Sequence, residues 1–518
     1  MKLKNLGSTL LATSMILCMA ACTPGEHNPG GNKGKPTGSI SITVSELGFG
    51  TQWLKNMAKE YESQKNIKVR VTPSYISGEI VSQLESETLE ADIIMPLAGG
   101  TLYKFQDSGR FADLSDVYNT IPEGEDKAIK DKMNSSIYLK QSANKDGKIY
   151  QMNWIDSIST LIYNKSTLDK AFGEGNYTLP RTTDELKTFS DSIKAKGIYP
   201  FSYSTQVSYL QYAVLTWWAQ YEGYEAYYDY YQGYYRDGEE RIKDMTGENV
   251  LNMAGREKAL AAATSLFSKS VGYSHNYCDA MSFTDAQIAF LGQGYKGKDK
   301  KEVAMMVNGD WIENEMATYL AYQWQDIRAM RMPMLSAIRE KCPSIENDTE
   351  LAALVEAIDN GGTDLNGTGY EVTQADFDRV AEARKMAYSA TFDHPIAVTA
   401  ESETQQKLAK DFLVFMASDK GQEIYSKQLN GMTQAYGYTP DASGMSAFAQ
   451  SRRSLFDNYK PVIIDYSTPL YLGAGFAAFS DTTSMNARIY RGDSSADILK
   501  TTNDFYKSRW DEIISFAD

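Results

Sequence analysis

The order of secondary-structure patterns in the segment 39–97 most constrains how this chain can fold. Apolar and polar residues alternate at 40–44 and again at 67–71, as in strands that bury one face, and 91–97 holds a short apolar run. Between the first two strands, the apolar residues of 53–61 recur at spacings typical of a helix. Strand, helix, strand, helix and strand in this order predict an α/β fold with a parallel sheet.

Two loops of this segment are candidate ligand contacts. Ligands of parallel sheets bind at the carboxyl ends of the strands, where the connecting loops open a crevice. The loop 46–51 follows the first strand, and the loop 95–101 follows the third. Glu46 could accept hydrogen bonds from a ligand there, or it could be a solvated loop residue.

The N-terminal segment predicts export. Two lysines precede an apolar run at 10–17, and small residues follow it up to Cys22, which is typical of a cleaved signal. The ending "MAAC" resembles the bacterial lipoprotein box, which implies removal of 1–21 and a lipid on Cys22; an ordinary secretory signal is the alternative. Residues 22–38 are rich in Gly and Pro and predict a flexible tether. We therefore expect an extracytoplasmic protein, anchored by lipid alone to the outer face of the cytoplasmic membrane.

The composition of the chain limits which classes of binding partner and of catalytic chemistry we expect. The formal net charge is −15, or −17 without the two lysines of the signal, so nucleic acid is not an expected partner. The sequence holds three histidines and no H-E-x-x-H, G-x-S-x-G or Walker-type motif, so we expect no metal, no cofactor and no catalytic residue. A glycosidase with spatially paired carboxylates is the enzymatic alternative. Cys278 and Cys342 could form one disulfide or remain buried thiols.

Several later segments predict helices. In "LPRTTDELKTFSDSIKAKG", Thr182 or Thr183 is a suitable N-cap, and "SETQQKLAKDFLVFMAS" places its apolar residues on one face. Residues 345–390 contain two acidic amphipathic stretches and predict a helical insertion. Eight tyrosines lie between Tyr221 and Tyr235. On one helix, five of them would share a face that either packs on the protein or offers aromatic platforms to a ligand: Tyr224, Tyr227, Tyr228, Tyr231 and Tyr235.

Tryptophans supply further candidates. Trp311 and Asp310 directly follow the apolar run 303–307, at a predicted strand end. Asp310 could accept from ligand hydroxyls or cap the next helix. Trp217 and Trp218 would point about 100° apart on a helix, so at most one faces a ligand, and we favour Trp217.

Five fragments follow one another in a recognisable order. They are the strand–helix–strand opening, "ADIIMP", "DGKIYQMNW" with "LIYNKSTLDKAFG" and "LPRTTDEL", "VAMMVNGDWIENEM", and "PIAVTAESETQQKLAKDFLVFMAS". Together they resemble the extracellular solute-binding proteins of sugar ABC importers, the family that includes maltose-binding protein. The resemblance spans nearly the whole mature chain.

The resemblance implies a two-lobed periplasmic-binding-protein-like fold of type II, with hinge strands joining the lobes and a ligand cleft between them. It assigns 39–151 and 396–435 to lobe one. Lobe two would comprise 152–395 and 436–518, with the insertion 345–390 inside it.

The same resemblance implies a function and places the remaining candidates. The protein would act as a monomer that captures a carbohydrate, an oligosaccharide by expectation, and delivers it to an ABC permease without catalysis. Trp311 matches a position that stacks sugar in the family, Trp154 and Asp156 lie at the first crossing between lobes, and Tyr436 and Tyr438 lie on a late segment that returns to the cleft. Core packing is the alternative for each. A peptide or polyamine ligand, and a surface glycan-binding lipoprotein without an ABC partner, are the functional alternatives.

Overall fold

The structure is a computed structural model that describes residues 36–515. Within that range the exceptions are 47, 77, 98, 136–137, 140–145, 207–208, 238–239, 244, 249–252, 364–369, 457–458 and 469–481. The predicted signal, Cys22 and nearly all of the predicted tether lie outside the described residues.

Thirteen strands and a larger set of helices make up the described chain. The strands are β1 (Gly38–Ser45), β2 (Ile67–Ser74), β3 (Ile93–Met95), β4 (Met152–Asn153), β5 (Ile158–Asn164), β6 (Tyr199–Phe201), β7 (Tyr234–Asp237), β8 (Glu240–Lys243), β9 (Val303–Gly309), β10 (Ile327–Met330), β11 (Met386–Ser389), β12 (Pro395–Val398) and β13 (Lys460–Val462). The α-helices are Gln52–Lys65, Glu79–Glu85, Ser115–Asn119, Ile129–Lys132, Lys165–Phe172, Thr183–Ala195, Tyr209–Glu222, Tyr224–Tyr231, Ala254–Phe267, Phe283–Ile288, Ile312–Glu315, Ala317–Gln323, Asp348–Asp359, Gln374–Arg384, Glu403–Ala417, Asp419–Gln428, Ala447–Phe456, Thr482–Arg491 and Ser495–Ile514.

The first sheet has the strand order β2-β1-β3-β12-β4 and defines lobe one. Strands β1, β2 and β3 are parallel, and β12 pairs antiparallel with both β3 and β4. Ile40, Ile42 and Val44 point into the core, as their alternation predicts. The helix Gln52–Lys65 connects β1 to β2 and buries the face that carries Trp53 and Tyr61. The predicted α/β class with a parallel sheet is confirmed here.

The second sheet has the order β13-β11-β5-β9-β6, with β10 also paired to β5, and defines lobe two. Strand β9 is buried along its whole length, and the helix Tyr209–Glu222 is buried on nearly every side. A strand buried on both faces shows no alternation in its sequence. The carboxyl end of β9 therefore extends from a fully buried strand towards lobe one.

The chain passes between the sheets at three places, from β4 to β5, from β11 to β12, and after Gly431. Met152, Asn153 and Pro395 pair within the first sheet, whereas the sequence-based boundaries assigned them to lobe two. The boundary differs because β4 is only two residues long and gives no periodic signal. Residues 386–389, placed in the helical insertion by the sequence, form β11 of the second sheet.

Single residues determine where two of the helices begin or end. Thr182, of the two candidates, caps the helix Thr183–Ala195 by accepting from the Glu185 amide. In the tyrosine-rich segment the helix ends at Tyr231, and Gly233, with a positive φ of 81°, turns the chain into β7, which begins at Tyr234. Tyr235 thus lies on a strand, and the predicted five-tyrosine helical face is wrong at that residue.

Three properties of the described chain bear on the sequence predictions. None of its helices combines the length and the apolar composition that a bilayer crossing needs. Its described residues include no group of His, Cys, Asp and Glu suited to a metal ion. Cys278 and Cys342 are both free and buried, which decides between the two alternatives for these thiols.

Candidate functional site

The lobes touch where the loop 46–51, after β1, passes over Trp311, after β9. A Cβ atom on Gly48 would lie 3.0 Å from Cδ1 of Trp311. The Phe49 ring stands edge-on to Trp311, with ring centroids 6.1 Å apart. Both strands end at this contact, so it marks the floor of the interlobe cleft.

Backbone geometry at the end of β9 fixes the Trp311 indole. The Asp310 amide donates to the Ile158 carbonyl at 3.0 Å, which continues the β5–β9 ladder past Gly309. The indole folds back over Gly309, where a Cβ would lie only 2.0 Å from Cζ3 of the ring. Residue 309 must therefore be glycine for Trp311 to hold this orientation, in which the side chain is 9% exposed.

Lobe two adds aromatic rings beside Trp311. Tyr209, the first residue of the helix Tyr209–Glu222, has its ring centroid 5.9 Å from that of Trp311. Phe283, at the start of another helix, lies 6.4 Å from Tyr209. Tyr209 and Phe283 are only half-buried, so part of each ring is open to a ligand.

Lobe one and the hinge supply a second aromatic group around Trp154. The Trp154 ring stacks on Trp53 at 4.9 Å and contacts the edges of Phe49 and His394 at 5.6 and 5.1 Å. Its indole Nε1 is buried and has no hydrogen-bond partner among the described residues. Phe49 therefore links Trp154 to Trp311, and the structure brings these two predicted residues into one cluster. Burial lowers the pKa of His394 to about 3, so its imidazole is neutral.

Two carboxylates flank the aromatic cluster. The Glu46 backbone amide donates to the Ser74 carbonyl at 2.8 Å, while its side-chain Oε2 is buried without a hydrogen-bond partner among the described residues. Glu315, one turn after Trp311, accepts from Nε2 of Gln287 at 2.6 Å. Burial raises the pKa of Glu315. Both carboxylates are thus acceptors whose capacity the described part of the protein only partly uses.

Asp310 is committed to the protein rather than open to solvent. Its carboxylate forms a buried ion pair with Arg452, whose side chain is 2% exposed, and also accepts from the Ser157 hydroxyl. The Arg452 guanidinium donates in addition to the Asp156 carbonyl at 3.1 Å. The side chain does not cap the helix that follows, so the alternative role predicted from sequence is not the one observed.

Asp156 joins the segments that cross between the lobes. Its carboxylate accepts from Nδ2 of Asn134 at 2.6 Å and from the hydroxyls of Tyr138 and Tyr459, each at 2.9 Å. Its amide donates to the Thr433 carbonyl at 3.0 Å. Burial raises the Asp156 pKa against the opposing effect of these hydrogen bonds. We call the buried set of Asp156, Asp310 and Arg452 the hinge network.

The structure separates the last three candidates from the aromatic cluster. Trp217 is fully buried in lobe two and donates from Nε1 to the Pro333 carbonyl at 2.9 Å. Tyr436 is fully buried and donates to the Asn153 carbonyl at 2.7 Å. Tyr438 is half-buried in a recess of about 320 Å³ that Asp156 also lines.

Sequence reasoning missed several residues of this cluster. Tyr209 and Phe283 begin helices, and only the contact with Trp311 singles them out among many aromatics. Phe49 belongs to a loop that the sequence did identify, and His394 lies in the "FDHPIAV" segment between β11 and β12. For His394, the sequence offered one signal, which is that this histidine lies next to a predicted crossing between the lobes.

A protein family matches most of this chain. The family described as bacterial extracellular solute-binding protein matches residues 56–449. Among curated proteins, nothing matches this chain.

Solved structures share the fold at low sequence identity. RafE in complex with raffinose superimposes with a TM-score of 0.56 at 16% identity, covering 91% of this chain and 99% of that one. The apo form of RafE from Streptococcus pneumoniae gives 0.58 at 15% identity, covering 92% and 99%. A chitin oligosaccharide binding protein gives 0.56 at 16% identity, covering 90% and 99%. The described two-lobed architecture is that of these structures.

Proposed function

This chain belongs to the bacterial extracellular solute-binding proteins, and we propose that it captures a carbohydrate of oligosaccharide size and delivers it to an ABC permease. The observation that carries the proposal is the position of Trp311 between the loop 46–51 of one lobe and Tyr209 of the other. A ligand bound there would contact both lobes at once, so binding would favour the closed arrangement.

The chemistry of this cleft matches a sugar. Sugar rings have apolar C–H faces, which pack on flat aromatic side chains such as Trp311 and Tyr209. Their hydroxyl groups donate well to carboxylates, and Glu46 presents an oxygen without a partner among the described residues. RafE with raffinose and the chitin oligosaccharide binding protein, which share the fold, add support from outside the chain. A peptide or polyamine is the alternative cargo.

Ligand binding should raise the stability of the folded protein. A glycan at 100 times its Kd adds about 2.7 kcal/mol, and thermal unfolding against a panel of mono- and oligosaccharides would detect it. We expect a selective rise in Tm that Trp311→Ala abolishes and Trp324→Ala retains, since Trp324, at the C-terminal end of the helix Ala317–Gln323, is 88% exposed. A panel in which peptides or polyamines raise the Tm and no glycan does would overturn the carbohydrate assignment.

We further propose that Cys22 carries a lipid and that this lipid anchors the protein to the outer face of the cytoplasmic membrane. A Cys22→Ala variant should then be released from the membrane fraction, and labelled fatty acid should no longer enter the protein. Retention of Cys22→Ala in the membrane fraction would contradict this role.

Binding without turnover completes the proposal. The family is one of solute-binding proteins, and the cleft carboxylates serve as acceptors here rather than as an acid and a nucleophile. Prolonged incubation with the best-binding glycan should leave it intact by mass spectrometry. Hydrolysis products that vanish in Glu46→Gln would instead favour a glycosidase.

A further inference from the structure

The lobe-two wall of the cleft carries a carboxyl group, Glu315, beside aromatic side chains. We call the set Tyr209, Phe283, Gln287, Trp311 and Glu315 the lobe-two subsite. The Glu315 amide donates to the Trp311 carbonyl at 2.9 Å, and the Glu315 carboxylate accepts at 2.6 Å from Gln287, which lies one turn after Phe283 on the helix Phe283–Ile288. Ring contacts connect Tyr209 to Trp311 and Phe283. The Glu315 carboxylate is therefore held by two helical segments that also carry Trp311 and Phe283, the rings that contact Tyr209.

Glu315 has no basic partner among the described residues. Its carboxylate accepts from the neutral amide of Gln287, which is fully buried and whose own Oε1 lacks a partner among those residues. The Arg452 guanidinium, in the described floor of the cleft, is already paired with Asp310. Across the cleft, Glu46 adds a second acceptor with an unused oxygen.

Glu315 is half-buried, and burial raises its pKa, so a ligand ammonium group that pairs with this carboxylate would stabilise its charged form. Aromatic faces also attract cations, because an ammonium group within about 6 Å of a ring centroid interacts with the ring quadrupole. The lobe-two subsite combines both features. Neutral hydroxyls would satisfy the hydrogen bonds of Glu315 without balancing its charge, and an acidic sugar would be repelled.

We propose that the lobe-two subsite binds an ammonium group of the ligand, so that the cargo is an amine-bearing carbohydrate. The inference rests on the proposed function and narrows it to a substrate class. The ammonium would donate to the Glu315 carboxylate while the adjacent sugar face packs on Trp311 and Tyr209. Sugars that carry a hydroxyl or an acetamide at the same carbon would lack the charge.

Matched oligosaccharides test the charge alone. Glucosamine, N-acetylglucosamine and glucose oligomers with the same β-1,4 linkage differ only at one substituent, and galactosamine against galactose extends the comparison to the epimer. Titration calorimetry on the purified protein should give a Kd about 10- to 100-fold lower for the amine than for its hydroxyl counterpart. Glu315→Gln should remove that preference. Glu123→Gln, which removes the same charge from a side chain 92% exposed on lobe one, should keep it.

The possible outcomes distinguish a failure of the amine preference from a failure of carbohydrate binding itself. Equal or tighter binding of the hydroxyl or acetamide sugar, or an amine preference that survives Glu315→Gln, overturns the inference and leaves carbohydrate binding in place. Binding of other neutral glycans when no amino sugar binds has the same meaning. If no sugar of any kind binds, the proposed function falls together with the inference.

Discussion

Replacing Arg452 with methionine should destabilise the protein more than an ordinary substitution of an arginine. Arg452 and Asp310 form an ion pair in which both side chains are almost completely buried. Methionine keeps the apolar stem of the arginine and has no charge, so Arg452→Met would leave the Asp310 carboxylate with the Ser157 hydroxyl and the Ile158 amide as its described donors. Arg452→Met therefore measures how much an unpaired buried carboxylate lowers the free energy of unfolding.

The structure sets the expected size of the effect. Removing one partner of a buried ion pair typically costs about 3–5 kcal/mol, because the remaining charge stays out of water. An unfolding entropy of about 2.1 cal/mol/K per residue over roughly 480 residues gives about 1 kcal/mol/K, so the Tm should fall by about 3–5 °C if both lobes unfold together. Glycan binding should weaken as well, since Trp311 follows Asp310 directly.

Urea unfolding of a double-mutant cycle is the appropriate assay. Asp310→Asn with Arg452→Met removes both charges, so the double variant should lose about 1–3 kcal/mol less than the sum of the single losses. Arg453→Met is the matched control: this neighbour on the same helix is half-buried and donates to the Pro440 carbonyl at 2.9 Å. Its loss should be about 1 kcal/mol or less.

Two results would refute the reasoning. Arg452→Met could unfold within about 1 kcal/mol of the wild type, or the single losses could simply add in the double variant. Either outcome would mean that Asp310 gains water or a new partner when the guanidinium is removed. The hinge network would then contribute nothing specific to the stability of this region.

Two further substitutions and one thiol-labelling experiment have defined outcomes. Gly309→Ala should lower stability by about 1–3 kcal/mol and weaken glycan binding in calorimetry, because the new Cβ overlaps the indole ring that follows. The folded-state pKa of His394 is lowered from 6.5 to about 3, so the unfolded chain alone gains that proton and stability falls as the pH drops from about 6.5 towards 3; His394→Gln should lose this part of the pH slope in urea midpoints. Burial raises the pKa of Cys278 to about 12 and that of Cys342 to about 11, so both thiols should react with a disulfide reagent only after denaturation.

The parts of the fold that the sequence predicted are those with a local signal. Alternation marked β1 and β2, and the apolar face of Glu403–Ala417 marked that helix. Strand β4 has two residues, and its place in the first sheet depends on pairing with β12, far away in the chain. No periodicity can report a pairing of that kind, which is why the boundary between the lobes could only be placed approximately.

Residue type alone could not separate aromatic side chains packed inside one lobe from those at the contact between the lobes. Trp217 and Trp311 both lie beside strongly apolar segments, yet one is fixed in a core by the Pro333 carbonyl and the other reaches the opposite lobe. What distinguishes Trp311 is the glycine two residues before it, which lets the indole fold over the strand end. Asp156 and Asp310 were identified as acceptors, but their partners come from crossings that only the folded chain brings together.

The packing around Trp311 also sets a requirement on any ligand. Phe49 touches Trp154 and Trp311 at once, and the recess beside it, lined in part by His394, has a volume of about 10 Å³, room for about one water molecule. A sugar ring can enter only if the loop 46–51 moves away from Trp311, which disrupts aromatic pairs worth about 0.5–1.5 kcal/mol each beyond their buried area. The free energy of binding is therefore the stabilisation from the sugar in the cleft minus the cost of separating Phe49 from Trp311. A sugar with a flat apolar face and a positive charge can pack on Trp311 and pair with Glu315 together, so it offsets that cost better than a neutral sugar of the same shape.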